Sequence, residues 1–279
     1  MRKVFVLPGS VLLVFLLMQA CAVAGDAEIV TAIVESREAV KPLPNPSSID
    51  SDLTEERAYA IQGRLVDAMG RKGKSIGGYK AGLTSANTQQ RFKAKSALLA
   101  PMFKHGKLEP GAAVDRKDFV RLFLETEIGF SPRETIAGPV EDVESLKKLI
   151  GKIYPVIELP DIRFADPKNL TVPDIVADAV GSSKYLVGTG VPMGDVDVNN
   201  LKVTLAMDGE TVNQGMGSDA LGDQWKALLW LVNGVVKQGW TVSPDQILIT
   251  GALGNMIPGR PGVYEAVWDD LGTIAFTIR

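Results

Sequence analysis

The sequence contains one cysteine and one histidine in 279 residues, Cys21 and His105. A single cysteine cannot form a disulfide within the chain, and these two residues cannot supply the ligands of a zinc finger. Positive charge is not in excess, since 30 basic and 33 acidic side chains give a formal net charge of −3. A chain without a broad positive field is not expected to bind nucleic acid. Any catalysis must therefore use carboxylates, lysines and hydroxyl groups.

Apolar residues are plentiful, at 46% of the chain, so it can bury a core and is not disordered overall. One long apolar stretch lies at the start, over residues 4–18, after Arg2 and Lys3 and before a run of small residues. This order predicts a signal peptide over residues 1–24, because the apolar part is too short to be a stable membrane span. We therefore expect a bacterial protein that is secreted or periplasmic.

Two ways of processing this segment stay open. Ala22-Val23-Ala24 suits an ordinary signal peptidase, which would release a soluble protein. The preceding residues Leu17 to Cys21 resemble a lipobox, which would leave a lipid on Cys21. Contact with a membrane is expected only through such an anchor.

The rest of the chain reads as helices followed mainly by strands. Apolar spacing predicts three helices. They span residues 27–39, the segment from Asp52 to Gly70, and residues 225–236. A DG turn at 208–209 predicts a hairpin, and three closing strands follow the last helix. This order predicts one α+β fold, with a helical N-terminal segment over 25–75 followed by a mainly β region over 76–279.

Three acidic residues stand inside strand-like runs. Glu125 and Glu127 are two residues apart, so a strand places both on one face, and Glu158 ends a second apolar run. Three carboxylates on strands suit a hard divalent cation such as Mg²⁺ or Mn²⁺. From the spacing alone, a solvent-facing strand edge is an open alternative.

A lysine flanked by glycines follows the long N-terminal helix. Lys80 lies in the run 77–84, where glycine allows the backbone to approach a ligand closely. The run lacks the glycine spacing and the Lys-Ser/Thr pair of a phosphate-binding P-loop. A surface lysine in a turn is the alternative reading of this run.

Ordered blocks at residues 53–62, 78–85, 125–130, 155–163, 181–183, 229–233 and 249–253 match a known pattern. Through these blocks, over nearly all of the mature chain, the sequence resembles the 2-keto-4-pentenoate hydratase group of the fumarylacetoacetate hydrolase superfamily. The resemblance implies a mixed β-sandwich roll with a helical N-terminal segment and a catalytic domain over 76–279. Because oligomers are common in the family, a homo-oligomer is also expected.

The resemblance also implies roles for residues at the matching positions. Glu125, Glu127 and Glu158 would bind Mg²⁺ or Mn²⁺, on which a 2-oxo acid substrate is chelated so that the cation stabilises its enolate. The remaining implied residues are catalytic Lys80 and Ser182, substrate-binding Leu99, Ala100, Thr250 and Gly251, and the pair Asp161 and Arg163, which would orient the metal-binding strand. For that pair, a plain surface ion pair stays an open alternative.

The sequence departs from the hydratase pattern in one loop. The family carries an acidic residue in the loop after the lysine, whereas residues 90–97 here are basic and contain no acid. Three functions therefore stay open: a hydratase acting on a 2-oxo/2-hydroxy-dienoic acid such as 2-keto-4-pentenoate, a decarboxylase of a 2-oxo-3-enedioate of the 4-oxalocrotonate type, and a periplasmic 2-oxo acid binding protein. A catalytic role for His105, in the lysine-flanked segment 103–107, is a lesser alternative.

Overall fold

The computed structural model describes residues 25–194 and 196–279. The predicted signal peptide, with Cys21, lies outside the described residues. The α-helices of the described part are α1 (25–39), α2 (Pro46–Ile49), α3 (Glu55–Arg71), α4 (Ala86–Phe92), α5 (Val143–Leu149), α6 (Val172–Ala177) and α7 (Gln224–Lys237). None of these helices is long and apolar enough to cross a membrane.

The long helices follow the periodicity of their apolar residues. Helix α1 buries Ile29 and Ile33, and α3 buries Ile61 and Leu65, on one face each. The predicted start of α3 at Asp52 is wrong: the helix begins at Glu55, because the Thr54 side chain accepts a hydrogen bond from the amide of Arg57.

Strands occupy most of the remaining chain. They are β1 (Ile76–Gly82), β2 (Leu98–Phe103), β3 (Lys107–Leu108), β4 (Ala113–Val114), β5 (Phe123–Pro132), β6 (Ile150–Leu159), β7 (Lys184–Val187), β8 (Val191–Pro192), β9 (Lys202–Met207), β10 (Glu210–Met216), β11 (Ile247–Ile249), β12 (Ile257–Pro258), β13 (Gly262–Trp268) and β14 (Gly272–Ile278). The predicted hairpin is confirmed as β9 and β10, joined at Asp208 and Gly209, which both have positive φ as such a turn requires.

The strands form two sheets. The first has the order β2-β1-β11-β5-β6-β7-β3, with β12 added to β5 and β8 to β6, and the second has the order β10-β9-β13-β14-β4. In the first sheet β1 is parallel to β11, whereas β5 and β6 are antiparallel. A mixed β-sandwich roll with a helical N-terminal segment, as predicted, is confirmed.

Two large apolar clusters hold these layers together. The main cluster includes Phe130, Leu228 and Trp268, which come from β5, α7 and β13. The second lies under the N-terminal helices and includes Ile33 from α1 and Val176 from α6. The helical segment is thus packed onto the sheet rather than separate from it.

Candidate metal centre

The three predicted carboxylates meet on one face of the first sheet. Glu125 and Glu127 alternate along β5 with Leu124 and Ile128, whose side chains enter the main core on the other face. Glu158 on β6 pairs directly with Glu125 across the ladder. One carboxylate oxygen from each of the three residues lies within 4.8 Å of the others.

The hydrogen bonds of these carboxylates leave two buried oxygens unpaired. Glu127 Oε2 accepts a hydrogen bond of 2.6 Å from the amide of Gly251, and Glu158 Oε1 accepts one of 2.6 Å from Lys80 Nζ. Glu127 Oε1 and Glu158 Oε2 are buried and have no hydrogen-bond partner within the described residues. Unpaired buried carboxylate oxygens are costly, and a cluster of oxygen donors is what a hard cation prefers. The residues present therefore fit Mg²⁺ or Mn²⁺.

Without a metal, the surroundings of the cluster raise the pKa of its carboxyl groups, so that these groups tend to hold protons. Burial, together with repulsion from Glu158, raises the pKa of Glu125 to about 8, although Lys80 opposes this. Burial and the charges of Glu158 and Glu125 raise the pKa of Glu127 well above its ordinary value. A bound cation would remove this repulsion and displace these protons.

Lys80 is the one cation in contact with the cluster among the described residues. It lies on β1, is 2% exposed, and its ammonium donates to Glu158 and, at 3.1 Å, to the carbonyl of Val180. Burial alone would lower the pKa of Lys80, but the three carboxylates outweigh it, so that its pKa is raised. Lys80 is therefore an ammonium group at neutral pH, able to donate hydrogen bonds or a proton.

Of the two residues that follow β11, Gly251 holds Glu127 in place and Thr250 bonds to α7. Gly251 has φ of +116°, and a Cβ atom there would lie 2.3 Å from Thr84 Oγ1, so only glycine fits. The hydroxyl of Thr250 donates to Gln224 Oε1 at 2.5 Å. In this structure the Gly251 amide binds Glu127, and the role of Thr250 and Gly251 in substrate binding stays a prediction.

The two predicted substrate-binding residues of β2 are buried beside Lys80. Ala100 pairs with Lys80 across the ladder. The amide of Leu99 donates to the hydroxyl of Tyr59 at 3.3 Å, and its carbonyl accepts a hydrogen bond of 3.2 Å from Gln62 on α3. These contacts fix β2 against α3, and substrate binding by Leu99 and Ala100 stays a prediction.

The alternative of a surface ion pair for Asp161 and Arg163 is wrong, because both side chains are buried. The Asp161 carboxylate accepts hydrogen bonds from the amides of Val120 at 3.2 Å and Arg121 at 2.7 Å. Arg163 approaches Asp161 at 3.6 Å and Asp178 at 3.0 Å. The pair thus connects the segment after β6 to the segment before β5, the two strands that carry the acids.

Ser182 lies at the end of a short helical turn over Ala179–Gly181 and is 1% exposed. Its carbonyl accepts a hydrogen bond of 3.0 Å from Arg37 on α1. A catalytic role for Ser182 stays a prediction. Sequence reasoning missed Arg37, whose partners lie more than 140 residues away.

His105 lies away from Lys80 along the same strand pair. Lys80 faces Ala100, whereas His105 follows Phe103, which pairs with Ile76 at the far end of β1. The ring of His105 is exposed and packs against Phe103 at 5.8 Å between centroids. The basic loop after α4 lies at the other end, since Leu98, which ends it, pairs with Gly82. That loop is therefore near the end of β1 that carries Lys80, and it contains no carboxylate.

Comparison with known proteins places these residues in context. No protein-family model matches the chain. A 2-keto-4-pentenoate hydratase from Burkholderia vietnamiensis is 28% identical over 222 residues, which are 79% of this chain and 84% of that protein. A 4-oxalocrotonate decarboxylase from a Pseudomonas species is 26% identical over 229 residues, covering 82% of this chain and 88% of that protein.

A solved structure agrees with the fold. The 4-oxalocrotonate decarboxylase from Pseudomonas putida G7, complexed with magnesium and adipate, superimposes with a TM-score of 0.86 at 21% identity, covering 91% of this chain and 97% of that one. The chain thus shares its fold with that enzyme and is similar in sequence to hydratases and decarboxylases. The predicted resemblance to 2-keto-4-pentenoate hydratases is therefore confirmed at this level of identity.

Proposed function

We propose that the protein is a divalent-metal-dependent lyase that adds water to a 2-oxo/2-hydroxy-dienoic acid such as 2-keto-4-pentenoate. The observation that carries the proposal is the cluster of Glu125, Glu127 and Glu158, with two unpaired buried oxygens and an ammonium group beside them. Curated relatives that match over about four fifths of the chain are named for this activity.

Each residue of the cluster has a distinct task in this proposal. The three carboxylates would hold Mg²⁺ or Mn²⁺, which supplies positive charge for the negative charge that develops on the substrate's keto oxygen. Lys80, as an ammonium, binds the substrate carboxylate or delivers a proton to the reacting carbon. The Gly251 amide keeps Glu127 oriented, and the burial of the carboxylates strengthens each of these charge interactions.

Decarboxylation of a 2-oxo-3-enedioate is the second candidate. In that reaction the bond to the distal carboxylate breaks, CO₂ leaves, and the electron pair passes through the double bond to the 2-oxo group before a proton returns to carbon. It needs no base to activate water, and the end of α4 with the loop after it, over 91–97, provides none, since the charged residues there are Arg91, Lys93 and Lys95. The same basic side chains suit a substrate with a second carboxylate.

One experiment separates these candidates. Metal-stripped protein is given Mg²⁺ or Mn²⁺, and the ultraviolet absorbance of 2-hydroxypenta-2,4-dienoate is followed beside CO₂ release from 2-oxo-3-hexenedioate. Metal-dependent loss of the diene, abolished by Glu127→Gln, supports the hydratase. Release of CO₂ alone supports the decarboxylase. Neither reaction, with metal binding seen by calorimetry, would contradict both and favour a 2-oxo acid binding protein.

Export and assembly complete the proposal. The basic, apolar and small residues over 1–24 support export to the periplasm. The alternative form of this proposal is an exported protein with a lipid anchor at Cys21. Mass spectrometry of the N-terminus of the protein from a bacterial host would distinguish cleavage after Ala24 from a lipidated Cys21. A homo-oligomer is proposed on the family resemblance, and light scattering would measure it.

A further inference from the structure

Three consecutive residues beside the metal centre have a left-handed backbone. Ala179, Val180 and Gly181 have φ of +50°, +52° and +68°. Glycine adopts this conformation readily, but alanine and especially β-branched valine do not. Such a backbone persists only where the surrounding contacts hold it. We refer to residues 178–182 as the left-handed turn.

The left-handed turn touches the catalytic lysine directly. The Val180 carbonyl accepts the 3.1 Å hydrogen bond from Lys80 Nζ, the same atom that contacts Glu158 at 2.6 Å. The Val180 side chain covers Gly82, where an added Cβ atom would lie 2.5 Å from Val180 Cγ1. A change in the turn would therefore move an acceptor that positions the Lys80 ammonium.

One side chain from outside the turn binds both of its ends. Arg37 Nε and Nη2 donate to Asp178 Oδ1 at 3.0 and 2.8 Å, and Nη2 also donates to the Asp178 carbonyl at 2.9 Å. Nη1 donates to the Ser182 carbonyl at 3.0 Å. Asp178 and Ser182 flank the three left-handed residues, so one planar guanidinium group fixes the separation of their ends.

The neighbouring Arg163 does not bind both ends of the left-handed turn. Arg163 approaches the other oxygen of Asp178, Oδ2, at 3.0 Å, and its second carboxylate partner is Asp161. No hydrogen bond from Arg163 to Ser182 is found among the described residues. Arg37 is delivered by α1, which Ile29 and Ile33 fix in the N-terminal apolar cluster.

We propose that Arg37 is a positioning residue for catalysis: it holds the left-handed turn closed and so keeps the Val180 carbonyl where it fixes the Lys80 ammonium against Glu158. The inference rests on the proposed function for its effect on turnover, but its effect on the turn and on Lys80 is independent of any substrate. It assigns the N-terminal helix a part in the active site, although α1 carries none of the metal ligands.

The test compares three variants of the full mature protein. Arg37→Ala removes all four hydrogen bonds, and Arg37→Lys keeps the charge but loses the planar fork that binds both ends. Arg64→Ala is the matched control, because Arg64 pairs at 2.8 Å with Asp26 at the other end of α1, away from the turn. Circular dichroism and thermal unfolding establish that each variant is folded.

Two measurements need no substrate. In metal-free Arg37→Ala we expect amide hydrogen exchange over 178–182 to rise by about tenfold or more, and not in Arg64→Ala. We expect trinitrobenzenesulfonate to modify Lys80 several times faster in Arg37→Ala at alkaline pH, as read by peptide mass spectrometry, because a released turn uncovers Lys80 Nζ and its unprotonated form reaches the reagent.

Turnover gives the third measurement. With saturating metal, kcat of Arg37→Ala should fall by about tenfold or more with KM within about threefold, and millimolar guanidinium chloride should restore part of it where sodium chloride does not. Arg37→Lys should lie between. If Arg37→Ala showed the same amide exchange and the same Lys80 labelling as Arg64→Ala, the inference would be overturned. Faster exchange over 178–182 in Arg37→Ala, with Lys80 labelling and kcat unchanged, would also overturn it. An inactive wild type would contradict the proposed function alone, since exchange and labelling still decide the inference.

Discussion

Glu125 and Glu158 face each other directly across the β5–β6 ladder. Like charges in this relationship destabilise an antiparallel pair, and here a third carboxylate, Glu127, lies on the same face. In the metal-free protein the compensation comes from Lys80, which donates to Glu158, and from protons held by the carboxyl groups. The fold thus contains a cluster of like charges that lowers its stability, and a bound cation would relieve the repulsion among them.

Replacing Glu127 by glutamine should separate binding from stability. Glu127→Gln replaces a carboxyl group whose raised pKa makes it take up a proton on folding at neutral pH, and glutamine does not carry that cost, so the thermal midpoint of the metal-free protein should rise. Its affinity for Mg²⁺, measured by calorimetry, should fall by about a hundredfold. Glu265→Gln, on the exposed face of β13, is the control and should change neither quantity. Equal Mg²⁺ affinity in the two variants would show that Glu127 is not a ligand.

The stability of the metal-free protein should depend on pH in an unusual direction. Because the pKa of Glu125 is raised from 4.5 to about 8, the folded state keeps a proton that the unfolded state has released. The free energy of unfolding should therefore decrease as the pH rises from 4.5 toward about 8. Mg²⁺ binds the deprotonated carboxylates, so the stabilisation by Mg²⁺ should increase over the same range.

Urea denaturation at several pH values, with chelator or with Mg²⁺, measures both quantities. The variant Glu125→Gln should flatten the pH dependence of the metal-free protein. A free energy of unfolding of the metal-free wild type that increases from about pH 6 to about pH 8 would contradict the expectation.

Part of the carboxylate cluster can be predicted from the sequence, because that part depends on local pattern. Glu125 and Glu127 share a face through strand alternation alone, and the third acid ends another apolar run. The direct pairing of Glu125 with Glu158 needs strand order and register, which one sequence does not contain. The family resemblance supplied that grouping.

Other parts of the site could not be predicted, because they depend on distant contacts. Arg37 lies 141 residues from Asp178 in the sequence. Within the helical pattern of α1 it cannot be told apart from any other polar residue. The left-handed turn has an apolar sequence, Ala179-Val180-Gly181, that gives no turn signal before its glycine. A left-handed backbone at alanine and valine runs against local preference and persists only where surrounding contacts hold it.

Adding one methyl group at Gly251 should damage both the fold and the metal centre. In Gly251→Ala the new Cβ would meet Thr84 at a backbone φ of +116°, and the displaced amide would no longer reach Glu127. We expect a loss of about 2–4 kcal/mol in the free energy of unfolding by urea. Mg²⁺ affinity should fall as well.

Gly111→Ala is the matched control, because Gly111 has φ of +86° but no atom within 4 Å of an added Cβ. It should lose about 1 kcal/mol from backbone strain alone and bind Mg²⁺ normally. Equal losses in the two variants would mean that strain, and not the contact with Thr84, decides the stability at Gly251.

Removing the ammonium group should separate catalysis from metal binding. Lys80→Met keeps most of the buried volume but deletes the charge that competes with a cation for Glu158. Mg²⁺ should therefore bind more tightly, by about tenfold, while kcat falls by about a thousandfold because no ammonium serves the substrate. Calorimetry and turnover of the same preparation give both values, and Lys104→Met, at an exposed lysine paired with Asp245, is the control that should leave both unchanged. A collapse of Mg²⁺ affinity in Lys80→Met would show that Lys80 maintains the shape of the cluster, and a normal kcat would show that it takes no part in the reaction.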